Sequence, residues 1–563
     1  MRRLPLLLAI TLSLSAADRW VDLRYGPFEV VTAAGERPAR ARLNEFEQLR
    51  GAVEQVLGKK DLAPAWPIRI VVVGSRKHAG ASLVLARDAF TGAVAAKGPP
   101  PSSLFESCAR ILIESGQGRL PAEMENGLVT LLSTLEFRGP ELILGVPPPT
   151  PQRTLDWARL HLLSTKEEYY GKLRTLVYNL ERGVEAEPAY RNALGKTPAE
   201  IDKEAEAYLR AGDFPTIPLR RRPINPDKDF AAKPVDPGRA AVIAADLLLT
   251  DPSRTAEARA AYQSILRGTP SSPEALEGLG LAMLIEKRPQ EAKDLLSRAI
   301  EAGSTNARAY LEYARLEPDR DKAVAALEKS AKLNPRWAEP HFEMAGRESD
   351  AALRVQLLAA AARLEPRNSE YWRALAEAQE AAGEFVAAAR SWASAELAAP
   401  STEERRRLRE TRQQAEVRRR EQEQEQRERK AEDERRALEA LKQKSFASIQ
   451  AALDKANREN PAIPPASGKV EPWWDGPRPD AKVQGVLRQV DCLGKQARLV
   501  IEAPDRRVTR LIVRDPGQIF IAGGEQSLTC GPQKPARRVV VEYFAKPDAK
   551  LGTVGEVAVL EFP

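Results

Sequence analysis

A period near 34 residues runs through the middle of the chain, and it constrains the fold more than any other feature. Three copies are plain: PEALEGLGLAMLIEKRPQEAKDLLSRAIEAGST from Pro273, NARAYLEYARLEPDRDKAVAALEKSAKLNP ending at Pro335, and NSEYWRALAEAQEAAGEFVAAARSWASAELAAP ending at Pro400. A leucine or aromatic stands early in the first helix of each unit, as at Leu276, Tyr310 and Trp372. A small residue follows one turn later, at Gly280, Ala314 and Ala376. Small residues recur in the second helix at Ala292, Ala299, Ala388 and Ala395, and Pro270, Pro335, Pro366 and Pro400 close several copies. Small side chains let paired helices approach, and proline stops the second one. About five such units fit between residues 238 and 402, above the three that a stable stack needs.

The pattern is similar to the tetratricopeptide repeat. That resemblance implies an all-α solenoid with a concave groove for a protein or peptide ligand. The alternative is a spacer scaffold with no ligand of its own.

The chain begins MRRLPLLLAITLSLSAADRW. Arg2 and Arg3 form a basic start, Leu4–Leu14 an apolar stretch too short to cross a bilayer, and Ser15-Ala16-Ala17 a small-residue cleavage site. This reads as a signal peptide at 1–17 and a periplasmic or secreted protein, against the alternative of a buried first helix. No later window has about 20 continuous apolar residues, so no membrane span is expected in the mature chain.

Residues 18–214 mix strand and helix patterns. Phe28–Thr32 and Ile68–Ser75 (IRIVVVGS) read as strands, the second apolar enough to be buried on both faces. Leu43, Phe46, Leu49, Val53 and Leu57 mark an amphipathic helix over 39–57. FESCARILIESGQGRLPAEMENGLVTLLSTLE (Phe105–Glu136) reads as helix, turn, helix, with further helices near 154–163, 166–181 and 198–209. Together these pieces resemble the peptidase-MA-like, gluzincin-type domain of bacterial secreted tetratricopeptide proteins. Active members hold zinc with H-E-x-x-H on the first helix and a glutamate on the second. Carried over residue by residue, the two histidine positions hold Phe105 and Ala109, the general-base position keeps Glu106, and the third-ligand position holds Asn126.

Phenylalanine and alanine cannot bind zinc and neutral Asn126 is a poor ligand, so the resemblance implies an α+β zincin-like domain without metal, cofactor or catalysis. Glu125 is one residue off, about 100° around the helix. The chain has only His78, His161 and His341, none of them on these helices. Cys108 suggests a cysteine hydrolase as an alternative, but a thiolate needs a cationic activator, and only His78 offers itself. Zinc held by unorthodox ligands is the other hydrolase reading.

Residues 215–237 are rich in Pro and Arg without periodicity and read as a linker. Residues 403–459 read as a long charged helix, with pairs such as Glu403–Arg407, Glu423–Arg427 and Glu432–Arg436 four apart. It lacks the apolar seam of a coiled coil before Leu438 and Leu441, so a stiff solvated spacer is expected. Its interleaved glutamates argue against nucleic acid as a partner. After a break at 460–469, residues 470–563 carry short β-branched runs between Gly, Asp and Pro, the mark of a small β-barrel or sandwich. Cys492 and Cys530 fall there and offer a disulfide, with two buried thiols as the alternative. Trp473 and Trp474 offer a recognition surface, for example for cell-envelope polysaccharide, or else a cover for the barrel's open end. The whole is expected to be a multidomain, non-catalytic interaction scaffold.

Overall fold

The computed structural model describes residues 19–74, 82–116, 118–459, 477–517, 519–522 and 528–562. The signal-peptide stretch, His78 and the Trp473-Trp474 pair lie outside them. The chain divides into two compact units, 1–438 and 439–563.

The first unit opens with the hairpin β1 (Val21–Tyr25) and β2 (Phe28–Thr32), then α1 (Glu36–Leu57) and β3 (Ile68–Val73). Next come β4 (Val84–Leu85), β5 (Phe90–Ala95), α2 (Ser102–Glu114) and α3 (Ala122–Ser133). The small hairpin β6 (Glu136–Arg138) and β7 (Glu141–Leu144) leads into α4 (Leu155–Thr165), α5 (Lys172–Glu181), α6 (Ala186–Leu194) and α7 (Pro198–Ala211). β2, β3 and β5 run parallel in the centre of a six-stranded sheet.

The apolar run of β3 has a clear cause. Ile68, Ile70 and Val72 face the main core with Leu43, Phe46, Leu49 and Val53 of α1. Val71 packs the opposite way, with Val31 of β2 and Ile243 of the first repeat helix. Alternate side chains point to opposite sheet faces, so both faces are covered.

Residues 215–237 are not a linker. β8 (Ile217–Leu219) pairs with β7, and after the one-turn helix α8 (Pro226–Asp229) β9 (Ala232–Pro234) pairs with β1 at the sheet edge. Arg222 pairs with Glu47 and Glu54 of α1, and Phe230 is fully buried under Tyr25. Prolines fit here because three-residue edge strands leave their nitrogens outside the ladder.

Five helix pairs follow: α9 (Pro237–Leu249) with α10 (Thr255–Gly268), α11 (Pro273–Ile285) with α12 (Pro289–Glu301), and α13 (Ala307–Leu316) with α14 (Arg320–Leu333). The last two are α15 (Glu339–Arg347) with α16 (Ala351–Leu364), and α17 (Ser369–Ala381) with α18 (Phe385–Ala398). Pro270, Pro335, Pro366 and Pro400 each sit just past the end of a second helix. A Cβ at Gly280 would stand 3.0 Å from Leu296 of the partner helix, which is why that landmark is small.

α19 (Thr402–Glu459) departs from the expected spacer in its first turns. Leu408 and Ala415 are buried with Trp392, Ala395 and Ala399, and Arg409 and Arg412 both reach Glu396. This stretch caps the last repeat; from Gln424 onward the helix is exposed.

The second unit holds β10 (Ala481–Leu493), β11 (Gln496–Glu502), β12 (Val508–Val513), β13 (Phe520–Ala522), β14 (Gly531–Phe544) and β15 (Gly555–Glu561). Their order is β12-β11-β10-β14-β15-β13, and β15 also pairs with β12, so five of the strands follow one another in a cycle of pairings. Leu487, Leu499, Ile501, Leu511, Val541 and Leu560 fill the inside. Cys492 and Cys530 are joined, with Cα atoms 5.6 Å apart, while Cys108 is free and buried. Denatured without reductant, the protein should therefore show one titratable thiol, rising to all three of the sequence on reduction. Three thiols before reduction would contradict the pairing.

Candidate functional site

The four positions singled out by the peptidase resemblance do not form a site. Phe105 on α2 is buried and sets its ring edge-on to Phe46, centroids 5.4 Å apart, and to Phe137 at 6.4 Å. Ala109, one turn on, is fully buried. The helix face that would carry two imidazoles is filled with hydrocarbon. Glu106 is half-buried with no hydrogen bond or ion pair among the described residues, and Asn126 is exposed on α3. Among the described residues, no group of three or more His, Cys, Asp or Glu could hold a metal.

Cys108 is fully buried, and burial, reinforced by the negative charge of Glu47, pushes its thiol well above the usual range. Burial thus favours the protonated form of this thiol, whereas the thiolate is the nucleophile.

Gly127 matters in a different way. A Cβ there would stand 2.4 Å from the Asp156 carbonyl, so glycine is what lets α3 and α4 pack this closely. The carboxylate beside it, Glu125, turns away from α2. It accepts from the Leu120 amide at 2.9 Å and from Arg367 at 2.6 Å, with both charged side chains buried. Arg367 lies in the turn before α17, so this pair joins the N-terminal domain to the fourth inter-repeat turn.

The same kind of contact recurs along the array. Asn306 donates from Nδ2 to the Arg87 carbonyl at 3.2 Å, and Arg308 donates to the carbonyls of Leu85 and Ala86. Asn334 reaches the Ala65 carbonyl at 3.0 Å, and Arg336 that of Ala63. Arg367 reaches the Gly118 carbonyl at 2.7 Å, and Trp337 stands edge-on to Trp66 at 4.9 Å. Successive turns thus hold backbone carbonyls of three different N-terminal loops. Along this edge of inter-repeat turns the array is already holding the protein's own chain. Sequence reasoning passed over these residues, although Asn-Ala-Arg at 306–308 and Asn-Pro-Arg at 334–336 were a readable signal.

At the first two repeats the contact becomes a buried ion network. Arg69, the second residue of β3, pairs with Glu29 of β2 at 2.6 Å, Asp88 at 2.7 Å and Asp246 of α9 at 3.4 Å. Arg87 pairs with Glu277 of α11 at 2.7 Å, Asp88 at 3.1 Å and Asp246 at 3.2 Å. Ser304 and Asn306 also donate to Glu277, and Tyr262 donates to Asp246 at 2.7 Å. Burial raises the carboxyls of Asp246 and Glu277, and Arg87 only partly offsets this. For Asp88 burial acts the same way, but Arg87 and Arg69 outweigh it and hold the carboxyl well below the usual range. Beside the network a polar chamber of about 570 Å³ opens between domain and array, lined by Trp66, Asp88, Arg239, Glu274 and Asn334 among others.

No protein-family model matches the chain, and no curated protein matches it. Solved structures do. A crystal structure of MamA is 18% identical over 29% of this chain and 93% of its own, with a TM-score of 0.24. YrrB, a TPR protein with an unusual peptide-binding site, is 18% identical over 30% of this chain and 90% of its own, TM-score 0.27. PilF of Pseudomonas aeruginosa is 17% identical over 29% of this chain and 78% of its own, TM-score 0.27. These neighbours are tetratricopeptide proteins, and the likeness is to their helical-repeat content.

Two outcomes are expected from the charged contacts. Arg367→Ala leaves Glu125 buried and unpaired, which costs about 3–5 kcal/mol; urea unfolding should show the loss, and a change under about 1 kcal/mol would deny the pair its role. Because the folded-state carboxyl of Asp88 is depressed, its contribution is complete above the unfolded pKa of about 3.9 and drains away as pH falls below it. Between about pH 4 and pH 2 the wild-type protein should therefore lose stability more steeply than Asp88→Asn. Equal slopes would remove Asp88 from the network's balance.

Proposed function

We propose that this protein is a non-catalytic interaction scaffold of the bacterial periplasm or exterior, in which a metallopeptidase-like domain without its zinc ligands is clamped along a tetratricopeptide array. One observation carries the reading. Side-chain amides and guanidinium groups from consecutive inter-repeat turns hold main-chain carbonyls, a mode of contact that recognises peptide backbone whatever its side chains. The array spends part of that capacity on its own domain. The polar chamber at the junction and the charged side chains of Arg315, Glu339 and Glu343 on neighbouring first helices remain for a partner protein or peptide.

Phe105 and Ala109 in the core support the absence of catalysis, since neither side chain can hold a metal. The Cys492–Cys530 bridge supports an oxidising compartment, as does the signal-like start of the chain. The small β unit, read here as a barrel, is an additional module; attachment to envelope polysaccharide through it is a second reading that Trp473 and Trp474 motivate.

The test is metal analysis and casein digestion on protein purified without chelator or metal-affinity resin, with cross-linking of the same protein to envelope extracts. The expected result is no stoichiometric zinc, no hydrolysis, Glu106→Gln indistinguishable from wild type, and cross-links concentrated on residues 273–400. Zinc near one per chain, or activity abolished in Glu106→Gln, would overturn the scaffold reading. Cross-links confined to the second unit would favour envelope attachment.

A further inference from the structure

Away from the repeat contacts, the N-terminal domain carries two adjoining cavities of opposite character. One, of about 230 Å³, is walled by Val56, Leu144, Leu163, Leu173, Ile217 and Leu219. Leu144 and Leu163 are each only 1% exposed, so this is a recess rather than a surface patch. Ser164 also lines it and has a buried hydroxyl with no hydrogen-bond partner among the described residues. The other, a cleft of about 550 Å³, shares Gln55 and Arg174 with the first.

Cations line that cleft. Lys59 and Arg222 are neutralised, by Glu181 and by Glu47 with Glu54. Lys60, Arg174, Arg220 and Arg221 line the same cleft and make no ion pair among the described residues. Arg174 is steadied by the Gln55 carbonyl at 2.8 Å and Arg221 by the Gly139 carbonyl at 3.2 Å, bonds that position a guanidinium without neutralising it. The negative end of the α1 dipole favours Lys60 at the helix's C-terminus and falls off within a turn. This concentration of cations outside any ion pair, beside a hydrocarbon recess, fits a ligand with both characters.

We propose that the two cavities together bind one monomeric, single-chain anionic amphiphile, with its acyl chain in the apolar recess and its carboxylate or phosphate head on Arg174 and Arg220. At about 30 Å³ per water-sized group, the recess takes on the order of eight chain carbons. An acidic peptide or nucleic acid would satisfy the cations and leave the recess empty. A neutral hydrocarbon would do the reverse. A bilayer presents its heads as a sheet and would have to release a chain to fill the recess, so the free monomer is the occupant assigned.

The experiment is calorimetric titration of the full chain with octanoate, in parallel with octyltrimethylammonium and with phosphatidylglycerol vesicles. Octanoate should bind saturably at one site per chain, and octyltrimethylammonium at least about tenfold more weakly. Arg220→Gln and Arg174→Gln change exposed side chains, so folding is not at issue; each should weaken octanoate roughly three- to tenfold. Ile217→Trp, which fills the recess and spares the charges, should abolish it. Absence of saturation up to about 10 mM, a dissociation constant too weak to matter, would overturn the proposal. So would equal binding of the cationic amphiphile, unchanged affinity in both arginine variants, or binding to vesicles without binding to octanoate.

Discussion

A buried guanidinium near the start of a central parallel strand fixes much of the first unit. Arg69 is 4% exposed, and a buried charge costs several kcal/mol unless it is paired and hydrogen-bonded. The sheet supplies Glu29 and the following loop supplies Asp88. The third carboxylate, Asp246, comes from the first repeat helix, and Arg87 then needs Glu277 from the second repeat. Neither the sheet face nor the opening repeats can bury their charges alone. That is a physical reason for the domain and the array to form one compact unit, as they do.

The network also orients the later repeats. α9 is held against β3 through Ile243 and Asp246, and three later turns each hold a loop of the domain. Some contacts further along are cheaper: Asn334 on Ala65 is a single hydrogen bond to a carbonyl, of about 1 kcal/mol net. At the fourth turn buried charge returns, with Arg367 on Glu125. The array is thus held by buried ion pairs near both ends and by lesser contacts between them.

What could be read from the sequence was what repeats or alternates. The array was legible because Leu276 and Gly280 recur in step with Tyr310 and Ala314, and because prolines punctuate it. β3 was legible as doubly buried, yet the exception within it, Arg69, carried the more important message. Residues 215–237 misled because three-residue edge strands leave no periodic trace and prolines argue against strands in general. The capping turns of α19 were hidden for a similar reason: two buried side chains, Leu408 and Ala415, are too few to show above a charged background. The network itself joins Arg87 to Glu277, 190 positions away, and single charged residues carry no pattern that would link them.

The one-residue difference between Glu125 and Asn126 shows how finely the attachment of α3 to the array is set. Adjacent residues on a helix point about 100° apart. At Asn126 a side chain of α3 meets solvent, while at Glu125 it reaches past the end of the helix to Arg367 in the array. With Phe105 and Ala109 sealing α2, a carboxylate at position 126 would have no ligand set to join. A carboxylate at 125 has a buried guanidinium waiting for it. The acidic residue that α3 does bury is thus placed where the array needs it, while the neighbouring face of α2 is closed with the side chains of Phe105 and Ala109.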